Sequence, residues 1–258
     1  ARLRTYVDGT VDRENVDIEF LVAQVIRRRL GTEFARSALV CAEARYMMLP
    51  NYGFLVMPYS AASPLSHVLS TRFKPRLMEI YSKLNQARLS HLNVQGLVAI
   101  SADQTSPARA NASAILSLIV RLQHGCYELV RQLVVSVALL HSQRIYHCDI
   151  KPDNIVVDEN LRLQLIDFGI SAVGEISTDA AFSEEERELL LTNQLYETTK
   201  YFEDPLAPHT HGQSTSEWAA IYGRFDTFSV GKVMQLIFDP MAFDGTICEL
   251  PTVRQTFL

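Results

Sequence analysis

Glycine is scarce and poorly clustered in this chain. Of its eleven glycines the closest pair is Gly169 and Gly174, so a Gly-x-Gly-x-x-Gly loop is written nowhere. That excludes the common glycine-built cradle whose backbone amides hold phosphate groups. Cysteine is sparse too: Cys41, Cys126, Cys148 and Cys248 form no Cys-x-x-Cys pair and no His/Cys cluster at zinc spacing, so they imply no metal site and leave the redox compartment open. No apolar run reaches the roughly eighteen residues needed to span a bilayer. Positive charge is thin, with a formal net charge of −5, a pI near 5.8 and Arg27-Arg28-Arg29 as the one dense basic run. This balance argues against nucleic acid or an anionic membrane as a main partner, since both require a basic face. The arginine run reads as the solvated side of a helix. The chain opens at Ala1 and reads as a processed or trimmed domain.

What is present suits a globular unit: 48% hydrophobic and 21% charged residues over 258 positions can bury a real core. Residues 13–30 place Ile18, Leu21, Val22, Val25 and Ile26 on one stripe, which predicts an amphipathic helix. The short apolar runs 38–41 and 54–57 flank Pro50-Asn51-Tyr52-Gly53 and predict an antiparallel hairpin. Residues 65–98 read as interrupted helix, and 101–113, rich in Ser, Ala and Pro, as a surface loop. Asn111-Ala112-Ser113 within that loop has the form of a glycosylation sequon, a match short enough to arise by chance. Beyond it, Cys126, Val130, Leu133, Val137 and Leu140 step by four and three along a long helix ending near His141. Residues 155–157, a polar turn at 158–160 and the alternating Leu161, Leu163 and Leu165 predict a two-stranded hairpin.

The chemistry concentrates around that hairpin. His147-Cys148-Asp149-Ile150-Lys151-Pro152-Asp153-Asn154 precedes it, and Asp167-Phe168-Gly169 follows it. The constellation is that of phosphoryl transfer, in which positioning and charge compensation do most of the work. Asp149 is the candidate base for a substrate hydroxyl, and Lys151 the cation for the transferring group. Asn154 and Asp167 are candidate Mg²⁺ ligands, because hard cations prefer oxygen donors. Downstream, Asp226-Thr227-Phe228-Ser229-Val230-Gly231 resembles the opening of the helix that anchors a kinase catalytic loop from below. Cys148 stands where many kinases carry the arginine that reads a phosphate on the activation segment, so activation through that position is not expected. It reads as an inert buried thiol.

Two further nucleotide contacts are placed by alignment with a Val-Ala-Ile-Lys strand. Arg4 falls at the lysine position, with Glu19 as its helix partner and Glu14 as the alternative; an arginine fork does not substitute conservatively for a lysine point charge. Between residues 170 and 204, Ser183 followed by Glu184, Glu185 and Glu186 has capping-box form and predicts a helix. Tyr201-Phe202-Glu203-Asp204-Pro205 stands where Ala-Pro-Glu usually ends this segment but departs from it.

These motifs, with the hinge-like Met57-Pro58-Tyr59-Ser60 and the missing glycine loop, resemble the rhoptry-kinase-related secreted kinases of apicomplexan parasites, in the branch that lacks a Gly loop. The resemblance implies an α+β, bilobal protein-kinase-like fold over residues 1–258. Its reduced N-lobe would be 1–58, the hinge 59–66 with Met57 beside the nucleotide, and the mainly helical C-lobe 67–258. It further implies ATP and Mg²⁺ as cofactors, weakly held, protein partners or substrates, and a secreted setting in a parasitophorous vacuole or cyst. The leading functional reading is a pseudokinase or strongly attenuated kinase that works by binding partners, because the glycine loop, the lysine, the arginine at position 148 and the segment end are altered or absent together. The alternative is an active Ser/Thr kinase using Asp149, Lys151, Asn154 and Asp167.

Overall fold

The computed structural model describes residues 10–39, 43–49, 52–58, 60–176, 179–192 and 215–239. Two compact units emerge, Ala1–Leu65 with Gln132–Val233, and Ser66–Arg131 with Met234–Leu258.

The first unit opens with helix α1 (Thr10–Leu30). All five predicted stripe residues are buried, from Ile18 to Ile26. Gly31, at φ 85°, follows the helix in a backbone conformation that a side chain would strain. A second short helix, α2 (Thr32–Ala38), follows. Strands β1 (Ala44–Leu49) and β2 (Tyr52–Val56) form the expected antiparallel hairpin, but with a different first strand. Of the predicted run 38–41, Ala38 completes α2, Leu39 makes one isolated parallel bridge to Leu165, and residues 40 and 41 lie outside the described residues. A four-residue apolar run fits a helix end as well as a strand, and here the helix takes it.

A three-stranded antiparallel sheet then forms from β3 (Ser63–Pro64), β5 (Ile155–Val157) and β6 (Leu163–Leu165), in the order β3-β5-β6. The β5–β6 register pairs Ile155 with Leu165 and Val157 with Leu163. Leu161, expected on the second strand, sits instead in the turn at φ 61°. The Asp158 carboxylate organises that turn by accepting from the Asn160 and Arg162 amides, both at 2.8 Å. Strand β4 (Ile145–Tyr146) pairs with β7 (Ala172–Val173), and helix α7 (Glu184–Thr192) closes this stretch.

In the second unit, α3 (Leu65–Val68) runs through a π-turn at Leu69–Phe73 into α4 (Lys74–Gln86). Pro75 cannot donate to the carbonyl four residues back, and the widened turn lies immediately before it. Helix α5 (Val94–Ala102) starts on Asn93, whose side chain accepts from the Gly96 amide at 2.9 Å. The segment expected as loop at 101–113 is mostly helical, because α5 continues to Ala102 and α6 (Arg109–Ser142) begins at Arg109. The alanines there favour helix and leave only 103–108 as connection. Along α6 the expected stripe, Cys126, Val130, Leu133, Val137 and Leu140, is buried, and Ile115, Ile119, Leu122 and Leu129 are buried as well. The last described helix, α8 (Thr215–Phe238), belongs to the first unit as far as Val233. No described helix is long and apolar enough to cross a membrane.

Candidate active site

The candidate catalytic loop is residues 147–154, between β4 and β5. Its polar side chains converge on Asp149. Lys151 Nζ lies 2.6 Å from Asp149 Oδ2, and Asn154 Nδ2 donates to the same oxygen at 2.7 Å and to the Asp149 carbonyl at 3.0 Å. Two donors on one carboxylate oxygen fix the plane of that group. Pro152 opens the 3₁₀ turn Pro152–Asn154, and Asn154 N–H donates to the Lys151 carbonyl at 3.0 Å. This turn folds Asn154 back onto Asp149.

The hairpin delivers Asp167 beside this cluster. Ile166 N–H donates to the Asn154 carbonyl at 3.0 Å, so the residue that follows it is held next to Asn154. Asp167 adopts φ 69° and Cys148 φ 65°. A non-glycine residue in the left-handed region costs on the order of 1 kcal/mol or more, and such strain gathers at functional sites.

His147, fully buried, ties loop and hairpin together. Its Nδ1 accepts from the Asp149 amide at 3.3 Å, so its Nε2 carries the hydrogen and donates to the Ile166 carbonyl at 3.0 Å. Its ring packs 4.7 Å from that of Phe168, and its carbonyl accepts from Ser171 Oγ at 3.1 Å. The motif contained His147, but its role as the brace came only from this geometry.

Asp226 of α8 anchors the loop as its sequence context suggested. Its carboxylate is 1% exposed and accepts from the His147 and Cys148 amides, each at 2.8 Å, and from His141 Nε2 at 2.9 Å. Cys148 sits in an apolar cluster with Tyr146, Ala172 and Tyr222. Burial pushes its thiol well above the ordinary range, and the nearby Asp226 and Asp149 carboxylates add to the shift. Position 148 therefore offers a neutral, enclosed side chain and no cation.

The remaining candidates divide. Glu19 is buried on α1, 2% exposed. Met57 is half-buried just past β2. Arg4, the side chain of Glu14, Tyr59 and residues 201–205 lie outside the described residues. Ser60 Oγ donates to Gln164 Oε1 at 3.3 Å, and Gln164 Nε2 to the Arg36 carbonyl at 3.1 Å, so β6 ties the hinge-like segment to α2.

The donor set fits Mg²⁺. Both amide hydrogens of Asn154 point at Asp149, which turns its carbonyl oxygen into the group able to meet a cation, and Asp167 supplies a carboxylate. Among the described residues no group of three His, Cys, Asp or Glu side chains could hold a metal by itself. Two protein oxygens suit Mg²⁺, which keeps waters and takes its other ligands from phosphate.

Comparisons with known proteins agree with this geometry. Residues 117–233 match the family profile described as "Protein kinase domain". Serine/threonine-protein kinase RUNKEL of Arabidopsis thaliana is 36% identical over 76 residues, 29% of this chain and 6% of that protein. CBL-interacting protein kinase 10 of Oryza sativa subsp. japonica is 44% identical over 45 residues, 17% of this chain and 10% of its own length. Maternal embryonic leucine zipper kinase of Xenopus laevis is 52% identical over 42 residues, 16% of this chain and 6% of the relative. The chain thus spans a tenth or less of these relatives. The yeast RNA Pol II CTD kinase CTDK-1 complex contains a chain similar over 92% of this one and 54% of its own, at 14% identity and a TM-score of 0.47. With Asp149, Lys151 and Asn154 joined, Asp167 held beside them and residues 117–233 matching that domain, this chain has a protein-kinase-like fold.

Proposed function

We propose that the protein transfers the γ-phosphoryl group of ATP, with Mg²⁺, to a hydroxyl group of a protein substrate. The observation that carries this reading is the Asp149 carboxylate, held by Lys151 at 2.6 Å and Asn154 at 2.7 Å in a loop pinned from below by Asp226. Bound Mg²⁺ and ATP would supply the transferable group and screen its charge. Asp149 orients the incoming hydroxyl and holds its proton. Lys151 would offset negative charge near the transferring group, and Asn154 and Asp167 would hold the metal. Charge compensation by positioned groups is the main service such a site provides.

A second reading, favoured by the missing glycine loop together with the enclosed Cys148, is a pseudokinase or attenuated kinase that binds protein partners. The finer placement, a secreted protein of an apicomplexan vacuole or cyst in the rhoptry-kinase-related branch, rests on motif resemblance alone.

Thermal-shift titration with ATP and Mg²⁺ tests the metal and nucleotide roles, since a ligand that binds the native state raises apparent stability by mass action. The expected result is stabilisation by the nucleotide, lost in Asp167→Ala. Phosphate transfer to a generic acceptor protein is expected to fall at least a hundredfold in Asp149→Asn with nucleotide binding retained. Absence of both stabilisation and transfer at millimolar ATP would overturn the proposal in favour of partner binding.

A further inference from the structure

Arg29 departs from the expectation for its run. Arg28 is exposed, but Arg29 is half-buried. Its Nη1 donates to the Gln143 carbonyl at 2.8 Å and the Gly174 carbonyl at 3.0 Å, and its Nη2 to the Glu175 carbonyl at 3.3 Å. The acceptors come from two segments more than a hundred residues away in sequence. One is the turn between α6 and β4, which leads into the catalytic loop. The other is the exit of β7, which carries the chain away from Asp167.

We propose that Arg29 is a positioning residue that locks the segment following Asp167 to helix α1 without any phosphate. The two acceptor segments are already joined, by the β4–β7 pairing and by the Gly174 amide donating to the Arg144 carbonyl at 2.7 Å. A Cβ at Gly174 would lie 3.0 Å from Arg144 Cβ, so a side chain there would crowd the contact. Arg144 and Glu175 flank this contact at φ 55° and 58°. Both are in the left-handed region, which persists where surrounding contacts over-determine the backbone. The Arg29 fork is such a contact, since it gathers three carbonyls that neither strand pairing nor the adjacent turn satisfies in the same way.

An arginine suits this work. Its planar fork meets several acceptors at once, and it stays cationic although burial pulls its pKa down, with Asp179 and Glu175 opposing that pull. Backbone carbonyls do not titrate, so the three acceptors themselves do not change with pH. The lock does not depend on a modification. The same helix touches the segment again where Arg28 lies 5.7 Å over the ring of Phe182. Position 148, an enclosed thiol, supplies no cation to this segment, whereas Arg29 does. Because α1 also carries Glu19, a displacement of α1 would move the segment and the carboxylate together.

The test compares unphosphorylated wild type with Arg29→Ala, Arg29→Lys and Arg28→Ala by amide hydrogen exchange. In Arg29→Ala, exchange across 172–175 is expected to rise at least tenfold while residues 129–140 of α6 keep wild-type rates. Arg29→Lys, which reaches fewer carbonyls, is expected to fall between, and Arg28→Ala to match wild type. Unchanged exchange at 172–175 in Arg29→Ala, or a rise spread evenly into α6, would overturn the lock and leave an ordinary packing contact. An equal rise in Arg28→Ala would overturn it as well. Should Arg29→Ala fail to fold, Arg29→Lys decides the matter by the same criteria. Exchange needs no nucleotide, so this outcome is independent of whether ATP binds. A parallel ATP titration, resting on the proposed function, is expected to show at least threefold weaker binding in Arg29→Ala.

Discussion

Cys126 and Cys148 are both buried thiols, and burial acts on each in the same direction. The Cys126 pKa is pushed up to about 12 from an ordinary 9.0. In the folded protein this thiol keeps its proton after the unfolded chain has lost it, so its contribution to stability is complete below pH 9 and disappears as pH rises toward 12. Stability is therefore expected to fall above pH 9 by up to about 1.4 kcal/mol per pH unit for each such group. Urea unfolding from pH 8 to 11 measures this, and Cys126→Ala should flatten the slope. Neither thiol should react with iodoacetamide until the protein unfolds, which intact and peptide mass spectrometry of native and denatured samples would show. At this scale much was legible in the linear order of residues. Asp149, Lys151, Asn154 and Asp167 stand at spacings that only one kind of loop and hairpin explains. Arg29 was not legible, because an arginine in a basic run looks the same whether it faces water or three distant carbonyls.

Among the elements, α7 follows most directly from local chemistry. Ser183 Oγ accepts from the Glu186 amide at 3.1 Å, and Glu186 Oε2 accepts from the Ser183 amide at 3.0 Å, a reciprocal capping box. Arg187 adds a brace by donating to the Asp179 and Phe182 carbonyls at 3.1 and 2.7 Å. Ser183→Ala is expected to cost about 1 kcal/mol of local stability, and Ser183→Gly only a few tenths. Amide exchange within 184–190 should resolve the two, with equal exchange in all three proteins counting against the cap. The α7 cap, the α1 and α6 stripes and the β5–β6 hairpin were readable because their determinants lie within a few residues of one another. The first strand of the first hairpin differs from its expected position for the converse reason. Arg45 and two adjacent methionines in Ala44–Leu49 give no clean alternation, and which of two short runs pairs with Tyr52–Val56 depends on the helix that claims the other.

For the molecule as a whole, the tie that matters most joins residues nearly eighty positions apart. Asp226 is buried and accepts two backbone amides of the candidate catalytic loop together with His141. Removing the carboxylate leaves two buried amides without their acceptor, at roughly 1–3 kcal/mol each. Asp226→Ala is expected to lower unfolding stability by about 3 kcal/mol or more and to abolish nucleotide-dependent stabilisation. Asp226→Asn, which still presents one acceptor oxygen, should lose about half as much. Urea denaturation with and without Mg²⁺ and ATP would separate these effects, and wild-type stability in Asp226→Ala would refute the anchoring role. What the amino-acid order by itself determined here is local: helix stripes, caps, turns and the spacing of the four polar residues, because each is set by periodicity and by hydrogen bonds between near neighbours. What only the tertiary structure decided is which remote groups meet. Asp226 under the loop, Arg29 across the ends of β4 and β7, and Ala44–Leu49 as the partner of β2 depend on how separate apolar faces are buried together, and no short stretch of chain contains that information.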